Sequence, residues 1–530
     1  MTDALALPLE EGAATAGGAT ARRFRMRCAL AAAACFAAAL LAGCAVGPGY
    51  QRPAISVPAA FRQAPPPGWK EAQAGDRLPR GRWWTLFGDS TLDALADQAI
   101  AANYTVRASE AAVRQARAQL RQTGAARYPS VSVGFGASRT TGSASGISTQ
   151  AGGGSVSSES YRASLDASWE LDLWGRARRS VQAGEADVQV ATADLENVRL
   201  SVVTELARIY FELRILDAQR QLLIDTVAAY DRSLQLTRNR YQAGVVPRVD
   251  VVQAEVQWKS TRAQLVDTGI ARATLESAIA LLVGRSPTSF QLEPASSNAP
   301  RPQIDQPPKA DGPVPAAPAQ LALYPGIPRV PVVPAGLPSD LLERRPDVAA
   351  AERAVAASSA RIGVAQAAYF PSLSLSASAG IRESSFSQLL GSPGWFWSPA
   401  LSLLQVLFDA GLREAVTEQA RAAHEAQVAN YRQTVLQGFK EVEDNLATLR
   451  ILEEEIDLQT ETLASARLAL QLVTNQYQAG VVDYLNVLTA QTSALNSERS
   501  LLDLRSRRLG ASVALIGALG GGWEGLPGRP

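Results

Sequence analysis

Apolar residues return at every seventh position through two long proline-free stretches of the chain. The first stripe reads Val188, Leu195, Val202, Ile209, Leu216, Leu223 and Tyr230. The second reads Val428, Val435, Val442, Leu449, Ile456, Leu463, Leu470 and Tyr477. A seven-residue repeat held this long predicts helices packed against neighbours with a left-handed supercoil. They run from about Arg176 to Arg240 and from about Leu412 to Tyr477. Each would be roughly 100 Å long. Both stop at a glycine, Gly244 or Gly480, the residue expected where a helix ends and the chain reverses. A returning helix is predicted over 248–284 and again over 483–517.

A second pattern has period two. In Val131-Ser132-Val133-Gly134-Phe135-Gly136 and in Leu165 to Leu173 the apolar residues take alternate positions. Leu373 to Ala379 repeats this, and Trp395 to Leu403 does so less cleanly because Pro399 interrupts it. Strict alternation predicts strands with one apolar and one polar face. The Gly/Ser/Thr tract 140–160 between the first two reads as a flexible loop. Ahead of the strands, 90–127 reads as one helix, with Leu92, Leu95, Ala99, Val106, Val113 and Leu120 on one stripe and Tyr128-Pro129 as its stop.

The chain is duplicated. Tyr241-Gln242-Ala243-Gly244-Val245-Val246 returns letter for letter at Tyr477-Gln478-Ala479-Gly480-Val481-Val482. Upstream, Val106, Glu110, Val113 and Pro129-Ser130 match Val348, Glu352, Val355 and Pro371-Ser372. So long a repeat period predicts two pseudo-equivalent halves of one assembly. The segments are then 1–43, an export signal; 44–89, an extended surface segment; 90–285, the first repeat; 286–340, a proline-rich linker; 341–520, the second repeat; and 521–530, a tail. Ser339-Asp340 is expected to cap a helix starting at Leu341.

Charge and cysteine usage change the picture in two ways. Net charge is +1 and the basic residues are dispersed, which removes electrostatic support for a nucleic-acid partner. Arg22, Arg23, Arg25 and Arg27 precede an apolar run, Cys28 to Leu41, too short for a permanent span. The run ends in Leu41-Ala42-Gly43-Cys44, which resembles a bacterial lipoprotein box; Met26 is an alternative start. The resemblance implies lipid on Cys44 (N-acyl and S-diacylglycerol) and, with Ala45 next, passage to the outer membrane. All three cysteines, Cys28, Cys35 and Cys44, fall in or at the end of the signal, so the mature chain is expected to hold by packing rather than disulfides.

Four alternating strands cannot close a barrel, and known bacterial barrels begin at about eight. An open sheet edge is not viable in lipid. Either the strands form a soluble sheet or several chains share one barrel, of eight strands from two chains or twelve from three. The serines and carboxylates on the polar faces suit a water-filled lumen, and eight strands leave little of one.

Several separated motifs then carry a family resemblance. Cys44-Ala45-Val46-Gly47-Pro48-Gly49-Tyr50-Gln51-Arg52-Pro53, Trp84, Phe87-Gly88-Asp89-Ser90, Leu337 to Asp347 and Ala518-Leu519-Gly520-Gly521-Gly522-Trp523 resemble outer-membrane efflux lipoproteins of the TolC-like family, OprM/NodT branch. The resemblance implies an α+β membrane protein. Its homotrimer would form a twelve-stranded transmembrane β-barrel continued by a twelve-helix periplasmic α-barrel, with a mixed equatorial region. It implies passive export, an adaptor (membrane fusion) protein and an RND-type inner-membrane pump as partners, and opening at the helical tips. The tip and adaptor-contact roles fall on Tyr241, Gly244, Val245, Val246, Tyr477, Gly480, Val481 and Val482. A pore-narrowing aspartate of the family stands where this chain has Leu488-Thr489-Ala490-Gln491. Asp250, Leu485, Asn486 and Thr489 are therefore the expected constriction, less charged, and block by multivalent cations is expected to be weak.

Enzyme chemistry finds no support. His424 is the single histidine, expected to be a solvated or lumen residue. It leaves no zinc cluster and no Ser-His-Asp set. Gly520-Gly521-Gly522 lacks the lysine of a phosphate loop, and Glu453-Glu454-Glu455 reads as a wet helix face. No cofactor is expected apart from the lipid. The competing functions are the duct of a type I protein secretion system and a pore-less structural coiled-coil lipoprotein.

Overall fold

The computed structural model describes residues 46–58, 60–62, 81–143, 155–294, 327, 330–331, 344–391 and 394–523. Cys44, the export signal, most of the 286–340 linker and the Ser339-Asp340 cap lie outside the described residues. The helices, in chain order, are α1 (Ser90–Ala102), α2 (Tyr104–Ala125), α3 (Arg176–Gln242), α4 (Arg248–Leu282), α5 (Pro346–Ala367), α6 (Phe386–Gly391), α7 (Leu412–Gln478) and α8 (Tyr484–Ala518). The duplicated helices match in length: α3 and α7 have 67 residues each, and α4 and α8 have 35. The chain divides into two compact units.

The first unit, Met1–Gln51, Ala118–Ala186 and Ala356–Glu425, contains the sheet. Four antiparallel strands lie in the order β1 (Ser130–Ser143), β2 (Ser155–Leu171), β3 (Ser372–Glu383) and β4 (Trp395–Leu404). The central ladder joins the two repeats, with Leu165 opposite Ala379. β1 and β2 reach well into the 140–160 tract expected to be a loop, and the residues between them lie outside the described ones. Thr140 and Thr141 pair with Ser158 and Ser157, so the β-branched threonines extend the ladder into a tract whose composition reads as a loop. Pro399 sits in β4 opposite Ala377. It is tolerated because β4 is an edge strand within this chain.

The second unit comprises Arg52–Arg117, Asp187–Val355 and Ala426–Pro530. Its core follows the heptad stripes: Val202, Ile209, Leu223 and Tyr230 on α3 and Val435, Val442, Leu449 and Leu463 on α7 are all buried. The single helix expected over 90–127 is broken at Asn103. Its side chain accepts from Thr105 N and Val106 N and donates to Leu282 O at 2.8 Å, capping a new helix. α5 begins at Pro346, a favoured first position because proline has no N–H to leave unpaired, and the expected start at Leu341 lies outside the described residues.

The extended surface segment expected over 44–89 ends in buried structure. Trp83, Trp84 and Phe87, in a short 3₁₀ turn, are all buried, and Phe87 lies 4.7 Å from Phe211. Gly88 takes φ 66°, and Asp89 then caps α1 through Thr91 N and Leu92 N while accepting the Tyr210 hydroxyl at 2.6 Å. Burial pushes the Tyr210 hydroxyl up to about 12. The first three residues of the expected 521–530 tail are folded in. Gly520, Gly521 and Gly522 all have positive φ, and a Cβ on Gly520 would stand 2.1 Å from the Arg344 carbonyl oxygen. That glycine run lets Trp523 fold onto Ala193, Ala349 and Ala350.

Candidate functional site: the paired helical turns

Both duplicated turns close in the same way. Val245 N donates to Arg240 O at 2.8 Å and Gly244 N to Tyr241 O at 2.9 Å; the copy has Val481 N to Gln476 O at 2.9 Å and Gly480 N to Tyr477 O at 3.0 Å. This pair of bonds is the Schellman arrangement, and it needs the left-handed residue that Gly244 (φ 71°) and Gly480 (φ 76°) supply. Val245 and Val481 project into solvent at 61% and 71% exposure, while Val246 and Val482 are half-buried.

The side chains break the symmetry. Tyr477 is buried and Tyr241 is exposed. The cause is Arg240, whose counterpart is Gln476. The Arg240 guanidinium lies 4.8 Å from the Tyr477 ring centroid and donates to the Tyr477 carbonyl at 2.8 Å. Tyr477 in turn meets Tyr484 edge-on at 5.5 Å. Leu234, Ala254 and Val487 complete a small core, so the two turns are clasped together. Sequence reasoning overlooked Arg240 and Tyr484. The available signal was Arg240 itself, which differs between the copies immediately before six identical residues.

The four residues expected at a constriction do not share one environment. Leu485, Asn486 and Thr489 are exposed on α8, with Thr489 Oγ1 donating to Leu485 O at 2.9 Å. Asp250 is buried in α4. Burial pushes its carboxyl above the usual range; the Asp483 charge adds to this and Arg240 opposes it. A raised carboxyl means the folded turn holds a proton that the unfolded chain would release. Charged Asp250 therefore costs stability at neutral pH, and the cost fades as pH falls through its folded pKa. Asp250→Asn is expected to raise the apparent melting temperature at pH 7.5, by an amount that shrinks toward the ordinary carboxylate value of 3.8. A melting scan across pH that shows a constant difference would count against burial as the cause.

Other charged groups are structural. Glu453 pairs with Arg508 at 2.9 Å and Glu455 lies 3.9 Å from Arg507. His424, expected to be a solvated or lumen residue, is half-buried, with Nδ1 3.0 Å from Ser358 Oγ. Among the described residues no group of three or more metal-type ligands converges, and no helix is long and apolar enough to cross a membrane. The sheet has the other candidate surface. Val131, Val133 and Phe135 on β1, Leu165 on β2, and Trp395 and Trp397 on β4 expose one continuous apolar face, and serines line the reverse.

The profile of the family described as "Outer membrane efflux protein" matches this chain twice, over residues 95–285 and 337–521. The cation efflux system protein CusC of Escherichia coli is 32% identical over 485 residues, covering 91% of this chain and 97% of that protein. The pyoverdine export outer membrane protein OpmQ of Pseudomonas putida is 30% identical over 472 residues, covering 87% and 93%. The solved outer-membrane channel OprN superposes with TM-score 0.77 at 30% identity, covering 91% of this chain and all of that one. The open-state MtrE channel of Neisseria gonorrhoeae gives TM-score 0.72 at 26% identity, covering 91% and 99%. The α+β architecture is thus TolC-like, located in the outer membrane with a large periplasmic part. The chain belongs to the outer membrane efflux protein family.

Proposed function

We propose that this chain is the exit duct of a tripartite efflux pump, conducting small molecules passively from a periplasmic adaptor and an RND-type inner-membrane pump to the exterior. The observation that carries this reading is the sheet: one face apolar along Val131, Val133, Phe135, Leu165, Trp395 and Trp397, the other rich in serine, and both edges, β1 and β4, unpaired within the described chain. An apolar face this large suits lipid, and a lone four-stranded sheet in lipid leaves its edges without partners. Three chains supply twelve strands, closing the sheet around water. Energy comes from the pump, so the duct needs no covalent chemistry.

The helices support the same assembly. Val249, Val252, Val256, Val266 and Ile270 recur on α4 at spacings of three, four, ten and four, an interrupted heptad seam, and all are exposed. Aligning the two turns sets Val266 against Leu502 and Ala273 against Leu509. Val266 is 72% exposed in the single chain, whereas Leu502 is 0%. A neighbouring copy covering α4 as α8 is covered gives three pairs of hairpins and twelve helices. Val266→Glu with Ile270→Glu is expected to yield monomers in sizing experiments; a stable trimer from that variant would remove α4 from the interface.

Within this reading the exposed Tyr241, Val245 and Val481, with Gly244, Gly480, Val246 and Val482 shaping them, meet the adaptor, and Tyr477 belongs to the clasp. Leu485, Asn486 and Thr489 narrow the bore, with Asp250 behind them. Lipid on Cys44 anchors the N-terminus, and loss of palmitate labelling in Cys44→Ala tests it. Purified trimer in a planar bilayer should conduct; a preparation that never passes ions fits the pore-less coiled coil. A deletion strain should accumulate dyes and antibiotics. Secretion of a protein, with normal dye export, supports the type I duct instead.

A further inference from the structure

The polar face of the sheet carries a like-charge pair. Arg162 on β2 stands directly opposite Arg382 on β3, one from each repeat. Like charges in directly opposed positions destabilise a sheet, so a neutral pair would be the easier choice. Two arrangements hold the pair in place. Both guanidiniums lie against one ring, Phe396 on β4, at 4.8 Å for Arg162 and 5.5 Å for Arg382. Arg162 also reaches Ser378 Oγ at 2.6 Å and Asp166 Oδ1 at 3.4 Å.

The surroundings leave room for a ligand. The residue opposite Arg162 on β1 is Gly136, and the backbone partner of Arg382 on the β4 side is Gly394, so the rung carries no other side chain. A Cβ on Gly136 would meet nothing within 4 Å. Asp166 is shared among Arg162, Ser164 and Ser378, and Glu170 is held by Arg176 at 2.6 Å. One carboxylate therefore faces two guanidiniums at this level. Arg382 is exposed, and among the described residues its charge meets only the Phe396 ring.

We propose that Arg162 and Arg382, ordered by Phe396, form an anion-binding station inside the barrel, toward the β-hairpin end of the sheet and away from the strand ends that lead into α3 and α7. This rests on the duct reading, which sets three copies of the pair around one lumen. Guanidinium forks match the oxygens of phosphate, sulfate and carboxylate groups, and rings of arginine favour anions in pores. The station takes multivalent oxyanions, and anionic cargo leaving the duct passes it last.

The test uses the lipidated full-length trimer in a planar bilayer, with inorganic pyrophosphate added on the side facing the hairpin end. Wild type is expected to show block at low concentration. Arg162→Gln with Arg382→Gln should raise the half-blocking concentration at least about tenfold, since each lost contact is a charge-assisted hydrogen bond. Unchanged block in that variant, or none in wild type that conducts normally, overturns the proposal. If the double variant does not assemble, Arg382→Gln alone serves, because its side chain donates no hydrogen bond to the sheet among the described residues. Should wild type fail to conduct, the duct reading falls. Calorimetric titration of the trimer with pyrophosphate then still decides the station: binding lost in the variant supports it, and no binding to wild type sinks it.

Discussion

Arg240→Ala is expected to raise the resting conductance of the reconstituted duct by up to about thirtyfold and to sensitise cells to large antibiotics. The side chain makes two contacts across the turns, a charge-assisted bond to the Tyr477 carbonyl and a stacking contact on the Tyr477 ring. A bond of the first kind contributes about 1.5–3 kcal/mol, and a half-exposed cation–π contact adds little more than 0.5. Taking about 2 kcal/mol in all, the closed-to-open ratio falls by roughly thirtyfold if opening breaks both contacts. That condition matters, because a contact kept in both states shifts nothing. Gln476→Ala, at the equivalent but exposed position, serves as control and should change little. Arg240→Lys keeps the charge without the planar fork and should fall between. Wild-type conductance in Arg240→Ala would show that the clasp does not hold the turns closed.

The second large effect concerns stability. Arg345 is buried, and its guanidinium donates to Asp347 through Nε and Nη2, to Glu441 at 2.7 Å and to the Ala518 carbonyl at 3.0 Å. These bonds tie the start of α5 to α7 and to the end of α8. Close approach supports them: a Cβ on Gly438 would sit 3.3 Å from Arg345. Breaking a buried ion pair costs about 3–5 kcal/mol when the remaining charge has no partner. Asp347 and Glu441 keep some water contact, at 26% and 36% side-chain exposure, so Arg345→Ala should fall at the low end. The readout is the apparent melting temperature of the trimer, expected to drop by several degrees. Arg345→Lys should recover less than half of the loss, since an ammonium cannot reach all three partners at once. A melting temperature unchanged in Arg345→Ala would remove this network from the account of stability.

Much of this architecture is legible along the chain, because it is local or periodic. The heptads of α3 and α7 determine long helices and which stripe is buried: Val442 and Leu449 could face nowhere else without exposing apolar surface. The glycines at 244 and 480 determine where those helices stop, since a left-handed residue closes both turns. Alternation in β1 and β3 determines an apolar and a polar face. Other features are decided only by tertiary structure, because they depend on partners hundreds of residues away. Asn103 breaks a helix by bonding to Leu282 O. The identical tyrosines 241 and 477 part company because Arg240 lies over one of them, and repeat symmetry cannot disclose a contact that breaks it. Asp250 is buried by helices whose mutual register a linear pattern does not specify. The Arg162–Arg382 pair exists only through the β2–β3 ladder, in which strand register sets two remote like charges face to face.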